Sequence, residues 1–316
     1  MGEQYARNWK VAVGGGGKEL DTAGLRIRFA TQQQDSSTPH VLNLFITNPS
    51  RATIEVIREE YKKITLSAGY NSDIGALFSG EIIQVRSGRE NVIDTYCHIM
   101  ATASERPRNF GVVNKALAAG HTYRDRIDVA AKAFAEFGIT VGHIDDLGNK
   151  KFPRNFICFG MAKDLLREVC EATGASWHIH NGKLNVLKNK NTLPDGAVVL
   201  NSDTGMVGLP EQTIQGVIVR CLLNYRIRPG TKLQINESSI QRAAFNPSVQ
   251  GAGSNELLKD NNILGVAADG FYKALLVEHN GDTRGPNWYT EIVCVKADGG
   301  SSLALYNRGI RTEERD

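Results

Sequence analysis

The stretch from 205 to 235, GMVGLPEQTIQGVIVRCLLNYRIRPGTKLQI, has the pattern of β-sheet and not of helix. Apolar residues at 216–223 fall on both faces of a predicted strand, which is typical of a strand covered on two sides; Arg220 is the exception. The sequence Arg-Pro-Gly-Thr at 228–231 places Pro and Gly where a type II turn needs them. Apolar and polar residues alternate after the turn as far as Ile235, so the stretch predicts a hairpin whose second strand has one buried face.

A second hairpin is predicted from Phe271 to Val295. The runs FYKALLVEH and WYTEIVCV carry aromatic or β-branched residues at alternate positions and flank the loop NGDTRGPN, which is rich in turn-forming residues. This hairpin is predicted to complete the same sheet as the first.

These two segments resemble the central baseplate hub proteins of contractile-tailed bacteriophages, whose relatives include the hubs of other contractile injection machines. The resemblance covers both C-terminal hairpins closely and the N-terminal half more loosely. The family pattern usually has proline after its Leu-Asn pair, where this chain has Tyr225.

The resemblance implies two β-barrel domains of tail-tube type in each chain. Three chains would then close into a ring of six barrels that matches a trimeric puncturing spike to a hexameric tail tube. The implied partners are further copies in a homotrimer, the spike, the tube or a tube-initiator protein, baseplate wedge proteins and the tape measure protein, with DNA passing through the lumen. The implied location is the tail baseplate of the virion, after synthesis in the host cytoplasm.

Length and composition describe an ordinary globular chain. Its 316 residues suffice for two or three domains, and its apolar and charged fractions are 41% and 22%. The formal net charge of +3 is too small for the clustered basic face of a nucleic-acid-binding protein. The start MGEQYARNWK lacks a signal-peptide core, and no apolar run approaches a membrane span, so no membrane insertion is expected.

The cysteines are odd in number and widely spaced, which favours reduced, buried thiols over disulfides. They are Cys97, Cys158, Cys170, Cys221 and Cys294.

The glycine-rich run VAVGGGGKEL does not match a phosphate loop. Ala12 stands where the first glycine is needed, and Glu19 follows Lys18 where the pattern needs Ser or Thr. A turn is the better interpretation of this run.

Residues 1–105 are predicted to form the first barrel domain, with one helix. Strands are indicated around Ile27 and Leu44. A short helix is predicted after Asn-Pro-Ser, because Ile54, Ile57 and Tyr61 recur at helical spacing. Strands resume with KKITLSAGY and with LFSGEIIQVR, which SGREN joins to VIDTYCHIMA as a hairpin.

Residues 106–190 are predicted to form an α/β middle domain. Thr122 and Asp125 have capping-box spacing at the start of a helix that Gly138 ends. A second helix is predicted near Met161 to Thr173, with Gly174 as the stop. Their predicted buried faces are Ile127, Ala130, Ala131 and Phe134 in the first helix and Ala162, Leu165, Leu166 and Val169 in the second.

The segment SWHIH-NG-KLNVL predicts a type I′ hairpin, since both turn residues of that type need positive φ. A two-residue turn pairs His180 with Lys183 and His178 with Asn185. Two histidines on one strand face suggest a metal site, but a cation beside Lys183 is disfavoured, so we expect solvent-facing histidines and no metal.

Residues 191–304 are predicted to form the second barrel domain, with a long loop at 238–270, and residues 305–316 a frayed tail. The predicted fold class is α+β and mainly β: two tail-tube-like β-barrel domains with an α/β insert between them.

The acidic pairs Asp145-Asp146 and Glu59-Glu60 are interpreted as solvated surface residues.

The sequence contains no recognisable nucleophile elbow, zinc-protease helix or Cys-His signature. We therefore expect a structural hub that is not an enzyme and needs no cofactor. The alternative is a tail-tip cell-wall hydrolase or carbohydrate-binding component, which would require convergent carboxylates in the middle domain. A weaker alternative is nucleic-acid binding by Arg220, Arg226, Arg228 and Lys232.

Five residues are candidates for subunit interfaces: Tyr272, Asp282, Arg284, Trp288 and Tyr289. The three aromatic residues are of the type that concentrates at interfaces, although packing in the chain's own core is an open alternative. The loop of Asp282 and Arg284, which includes Thr283 and Asn287, is predicted to contact the spike or a neighbouring subunit. A self-contained hairpin turn is the alternative there.

Overall fold

The computed structural model describes residues 6–14, 18–20, 22, 24–58, 63–213, 216–235, 241–242 and 270–297. Several predicted features fall outside these residues: Gly15–17 of the glycine-rich turn, Glu59-Glu60, Tyr61, most of the loop at 238–270, and the tail 305–316.

The first part of the chain is β-rich with one helix, as predicted. Its elements are β1 (Arg7–Val13), β2 (Lys18–Glu19), β3 (Ile27–Gln34), β4 (Val41–Thr47), α1 (Arg51–Arg58), β5 (Lys63–Tyr70), β6 (Asp73–Arg89) and β7 (Thr95–Thr102). The predicted β6–β7 hairpin is confirmed, although its turn lies later than SGREN because the ladder continues to the pair Arg89 and Thr95.

The middle part contains the predicted helices. Its elements are α2 (Glu105–Phe110), β8 (Val112–Leu117), α3 (Tyr123–Ala135), β9 (Thr140–Ile144), β10 (Phe156–Met161), α4 (Ala162–Thr173), β11 (Ala175–His180) and β12 (Lys183–Lys188). The capping box is confirmed: Thr122 Oγ1 accepts from the Asp125 N–H at 3.3 Å, and Asp125 Oδ2 accepts from the Thr122 N–H at 2.7 Å. All eight predicted core residues of α3 and α4 are buried.

The turn between β11 and β12 also forms as predicted. Asn181 and Gly182 have φ of 47° and 75°, as a type I′ turn requires. The register pairs His180 with Lys183 and His178 with Asn185. The local sequence therefore predicted both the turn and the register of this hairpin.

The third part returns to sheet. Its elements are β13 (Val198–Leu200), a 3₁₀ turn (Ser202–Thr204), β14 (Glu211–Thr213), β15 (Gly216–Leu222), β16 (Lys232–Ile235), β17 (Gln241–Arg242), β18 (Phe271–Asp282) and β19 (Trp288–Lys296). The predicted second hairpin is confirmed by the β18–β19 ladder, which runs from the pair Tyr272 and Lys296 to the pair Gly281 and Trp288.

The first predicted hairpin is wrong in its pairing. The turn itself forms, with the Thr231 N–H donating to the Arg228 carbonyl at 3.0 Å and Gly230 at φ 86°. However, β15 pairs with β14 and β19, whereas β16 pairs with β13 and β18. The physical reason is that the β18–β19 hairpin lies between β15 and β16 and offers an edge to each. Such a non-local pairing leaves no trace in the local pattern.

One strand joins the two β-rich parts. Residues 271–273 of β18 pair with β16, and residues 276–282 pair with β3, on either side of an irregularity between Ala274 and Leu276. The result is one fourteen-stranded sheet in the described residues, in which β18 is followed in order by β3, β4, β7, β6, β5 and β1.

Each β-rich part curls back on itself. Although β1 is six strands from β18 in the sheet, Arg7 Nη1 donates to the Asp282 carbonyl at 2.8 Å and the Trp9 and Trp288 rings lie 6.5 Å apart. In the other part, the residues after β13 return to β15, where the Val207 N–H donates to the Arg220 carbonyl at 2.8 Å. The fold is mainly β, as predicted.

Three hydrophobic cores lie along the chain. The first is built by β1 and β3–β7 with Leu223 and Trp288, the second by the middle part around α3 and α4, and the third by β13, β15, β16, β18 and β19. The division of the chain into domains at 105, 190 and 304 stays a prediction. The three parts of the chain meet at a buried polar junction.

Candidate functional site

A buried polar junction connects the three parts of the chain. Its centre is Asp35, which directly follows β3 and is 3% exposed. The Asp35 carboxylate accepts from Ser176 Oγ at 2.8 Å and lies 2.9 Å from His178 Nδ1, both on β11. It also lies 2.7 Å from Lys273 Nζ on β18. One carboxylate therefore binds the middle part and the second β-rich part to the first.

The prediction that the two histidines of β11 face solvent is wrong. His178 and His180 are 1% and 7% exposed. The predicted register is correct, so the two rings do share a face, but that face packs against Asp35 and His40 from the first part of the chain. Lys183 is exposed at the hairpin end, so its charge does not decide the environment of the rings. The burial is a tertiary effect.

His40 completes the junction. Its ring stacks on His178 with centroids 5.9 Å apart and lies 5.8 Å from the His180 ring, and its Nε2 is 3.2 Å from the Gln34 carbonyl. The Asn181 amide donates to His180 Nε2 at 3.1 Å, while His180 Nδ1 is buried without a hydrogen-bond partner. Three imidazoles are thus packed away from water.

Burial and neighbouring charge shift the pKa values of this junction. For Asp35, burial alone would raise the pKa, but the Lys273 charge and the His178 hydrogen bond outweigh it and hold the pKa well below its usual range. Burial, together with the His178 charge, lowers the pKa of His40 to about 3. Burial and the charges of His40 and His178 lower the pKa of His180 well below 6.5. His279 nearby has its pKa lowered to about 3 by burial.

These shifts predict destabilisation by mild acid. Since His40 and His279 have a pKa of about 3 in the folded chain and 6.5 when unfolded, the unfolded chain binds more protons between these values. The contribution of these histidines to the free energy of unfolding is complete above pH 6.5. It falls as the pH falls, by about 1 kcal/mol per pH unit for each such histidine. The Asp35 carboxylate acts in the same direction at lower pH.

Urea unfolding at about pH 7, 6 and 5 measures the expected fall in the free energy of unfolding. His279→Gln is the matched control, since it removes one buried imidazole and is expected to flatten the pH dependence without abolishing it. A free energy of unfolding that is constant or rises between pH 7 and 5 would contradict the assignment of neutral buried histidines.

The described residues contain no group of three or more His, Cys, Asp or Glu side chains arranged to hold a metal ion. All five cysteines are free and buried, as predicted. Burial raises the pKa of Cys221 to about 12, so its thiol is a packing group at neutral pH. Among the described helices, none is both long and apolar enough to cross a membrane.

The predicted contact loop between β18 and β19 is bound to its own chain. Asp282 pairs with Arg26, whose Nη2 lies 2.6 Å from Asp282 Oδ2, and Asp282 Oδ1 accepts from the Arg284 N–H at 3.0 Å. The Arg284 guanidinium donates to the Gly24 carbonyl. The Thr283 N–H donates to the Ile27 carbonyl, and the Asn287 carbonyl accepts from the Asp282 N–H. These bonds hold the loop against the start of β3.

The three aromatic candidates differ in position. Tyr272 and Trp288 are 0% and 1% exposed and lie within the cores of this chain, so both rings pack inside the chain itself. Tyr289 is only partly buried, and the Arg220 guanidinium lies over its ring at 4.3 Å. Interface roles for Asp282, Arg284 and Tyr289 stay predictions.

Asp145 is not a simply solvated carboxylate. Its Oδ2 accepts from the Lys188 N–H at 2.7 Å and from Asn191 Nδ2 at 3.0 Å, and its Oδ1 lies 2.8 Å from His143 Nε2. Asp146 is exposed and accepts from the Gly148 N–H. The two carboxylates have separate partners, as adjacent residues on a loop usually do.

Sequence reasoning missed the junction residues Asp35, His40 and Lys273. One signal was available: Lys273 stands inside the apolar run FYKALLV of a strand that is covered on both sides, and a charge in that position needs a buried partner. Nothing local identifies Asp35 as that partner.

Tyr225, which stands where the hub pattern has proline, packs over Gly75 and donates to Asp73 Oδ1 at 2.5 Å.

The fold is that of phage tail proteins. The 43 kDa tail protein of prophage MuSo2 from Shewanella oneidensis matches with a TM-score of 0.58 and 8% identity, over 93% of this chain and 99% of that one. A tail protein from Neisseria meningitidis matches with a TM-score of 0.57 and 11% identity, over 95% and 99% of the two chains. At such identities the likeness shows the fold alone.

A third structure extends the likeness to secretion machines. The E. coli c3393 protein, described as a component of the type VI secretion system with structural similarity to the T4 tail proteins gp27 and gp5, matches with a TM-score of 0.53 and 10% identity. The match covers 91% of this chain and 76% of that one. No curated protein sequence matches the chain.

The family is shown by sequence. The family model described as baseplate hub gp41 matches residues 44–253, and the chain belongs to this family. The resemblance drawn from the two C-terminal hairpins is thereby confirmed. The family places the protein in the tail baseplate of a bacteriophage.

Proposed function

We propose that three copies of this hub protein close into a ring that adapts a trimeric puncturing spike to a hexameric tail tube. Each copy contributes two β-rich units, so the ring presents six similar units to the tube and three identical chains to the spike. Its lumen would pass the tape measure protein and the genome during ejection, and its outer surface would meet the baseplate wedge proteins. Before assembly, the chain would reside in the host cytoplasm.

The observation that carries this proposal is the β3–β18 ladder. Residues 28–34 of the first β-rich part pair continuously with residues 276–282 of the second. The Asp35 junction then binds the middle part to both. Two units joined in one sheet keep a fixed relative orientation, and a closed ring of three such pairs has the approximate sixfold symmetry that a hexameric tube needs.

The structural relatives support a spike as partner. The type VI secretion component is described by its likeness to both gp27 and gp5, two T4 tail proteins. By analogy, we propose that this chain binds the spike protein of its own tail, and that the tube or a tube initiator binds the opposite face of the ring.

Light scattering of the purified protein, alone and with the spike protein from the same phage, tests the proposal. We expect either a trimer of the 34.6 kDa chain or a monomer that becomes a complex of three hubs and three spikes. A chain that stays monomeric and does not respond to the spike would contradict the ring.

The loop of Asp282 and Arg284 gives a sharper test of where assembly takes place. Arg284→Ala removes an exposed guanidinium but leaves the Asp282–Arg26 pair in place. We expect it to weaken ring or spike assembly at least tenfold while changing the stability of the single chain little, as for other surface substitutions. Lys232→Ala, which removes a half-buried cation that lies 3.9 Å from the centre of the Phe271 ring in the same sheet, is the control. Undiminished assembly of Arg284→Ala, and of the double variant with Asp282→Ala, would count against contact through this loop.

A further inference from the structure

The middle part of the chain carries a two-stranded ribbon, β8 and β10, that no other described strand joins. The strands are antiparallel, with Cys158 opposite Lys115 and Phe159 opposite Asn114. The ribbon's outward side chains are strongly exposed for apolar groups: Val112 is 60% exposed, Ile157 68% and Phe159 79%. This face differs from those of the fourteen-stranded sheet, whose apolar residues are largely buried.

The register shows which backbone groups of β10 are directed away from β8. The Ala162 N–H donates to the Gly111 carbonyl at 2.9 Å, one position beyond the pair Met161 and Val112. Hydrogen-bonded pairs alternate along an antiparallel ladder, so Cys158 and Gly160 bond to β8. Ile157 and Phe159 therefore point their N–H and C=O groups to the outer edge. Within the described part of the chain, these groups have no hydrogen-bond partner.

A groove of about 410 Å³ runs along this edge. Residues 156–161 line it continuously, and Val113 of β8, opposite Gly160, lines it as well. The groove therefore runs along β10 and includes part of the ribbon face that is turned toward α4. Its opposite wall is the side of α4 that carries Asp164, Leu165, Glu168 and Glu171. A strand edge facing a helix across a groove is the arrangement by which proteins bind an extended peptide through added β-pairing.

The charges along the groove indicate what kind of segment fits. Asp164 pairs with Arg167 at 2.9 Å, and Glu168 lies 3.5 Å from Arg126. Glu171 has no ion-pair partner among the described residues. The helix wall of the groove thus presents three carboxylates and one guanidinium, which favours a basic side chain on the bound segment.

We propose that β10 accepts an additional strand from a separate protein of the tail. The segment is extended and carries a basic side chain toward Glu171 and apolar residues beside Ile157 and Phe159. Its backbone completes the outer hydrogen bonds of β10, and its apolar side chains extend the apolar face of the ribbon. The inference rests on the proposed function, because the partner is a component of the assembled tail.

Hydrogen exchange in the assembled particle tests this directly. We expect the amides of Ile157 and Phe159 to exchange at least tenfold more slowly in purified tails than in the isolated chain. The amides of Asn114 and Ala116, which face the outer edge of β8 by the same register, serve as the internal control and are expected to exchange alike in both samples. Equal exchange of Ile157 and Phe159 in both samples would overturn the proposal.

Two variants at one position separate the backbone from the side chain. Phe159→Pro removes the outward N–H but leaves the β8–β10 bonds, because proline is tolerated where an edge strand's N–H faces away from its partner. Phe159→Ala removes the ring and keeps the N–H. We expect Phe159→Pro, and Glu171→Lys in a second experiment, to abolish the protection of Ile157, and Phe159→Ala to retain most of it. Asn114→Pro, the matched change on β8, is expected to have no effect.

A different segment bound at the β10 edge would give a different hydrogen-exchange result. Protection that appears in the isolated chain as its concentration rises would show that a second copy covers β10, and protection lost from the isolated chain on deleting 298–316 would show that this chain's own C-terminal segment does. Either result overturns the assignment to a separate protein. Absence of the chain from purified tails would overturn the hub function as well, whereas its presence with unprotected β10 amides overturns only this inference.

Discussion

Asp35→Ala is expected to lower the free energy of unfolding by about 3–5 kcal/mol, as for removal of one partner from a buried ion pair. The Lys273 ammonium and the Asp35 carboxylate have side-chain exposures of 1% each, so the substitution leaves a charged group without a counter-ion away from water. His178 and Ser176 lose their acceptor as well. Urea unfolding at about pH 7, followed by circular dichroism, measures the effect.

A second variant keeps this prediction testable if the first does not fold. Asp35→Asn combined with Lys273→Met removes both charges, and we expect it to be more stable than either single variant, because no uncompensated charge remains buried. Glu291→Ala is the matched control: its partner Arg220 lies 3.2 Å away, but the two side chains are 41% and 45% exposed. Exposed pairs contribute at most about 1 kcal/mol. An Asp35→Ala variant no less stable than Glu291→Ala would show that the junction does not hold the three parts together.

Trp288→Ala is the second substitution with a large expected effect, about 3–5 kcal/mol of unfolding free energy, as for other buried Trp or Phe truncations. The Trp288 ring is edge-on to Phe29 with centroids 5.4 Å apart and to Trp9 at 6.5 Å. The Arg7 guanidinium covers the same ring at 5.4 Å. Trp288 thus fills the point where β1 returns to the β18–β19 hairpin, and its removal opens the first core.

Tyr289→Ala is the matched control for Trp288→Ala. The two residues are adjacent and both were candidates for a subunit interface, but Tyr289 is partly exposed and contacts Arg220 at the surface. We expect its loss to cost less than about 1.5 kcal/mol, near the range of ordinary surface changes. If Tyr289 contacts a neighbouring subunit, its variant will fold normally and assemble poorly. Equal destabilisation by the two variants would contradict the distinction between core and surface at this hairpin.

Features determined by a few neighbouring residues were predictable from the sequence. The capping box of Thr122 and Asp125 and the turn at Asn181-Gly182 depend on local hydrogen bonds and on φ values that few residues adopt. Strand alternation around Ile27 and Leu44 reports burial on one face, and it identified those strands. The family resemblance rested on two such local segments.

Features that depend on which elements meet were not predictable in the same way. The turn at 228–231 looks like a hairpin turn, yet β15 and β16 lie on opposite sides of the β18–β19 hairpin. The faces of β11 were assigned to the correct residues, but the face that holds His178 and His180 is covered by Asp35 and His40, more than a hundred residues earlier in the chain. The buried junction follows from that packing and not from any motif.

One chain supplies two joined β-rich units, and we propose that three chains form a ring that matches a sixfold tube. Cryo-electron microscopy of the purified tail baseplate distinguishes this ring from other arrangements. We expect a single ring of three copies with six similar β-rich densities around the lumen, the β3–β18 ladder joining them in pairs. A ring of six copies, or three copies in which only one β-rich unit of each chain borders the lumen, would contradict the account.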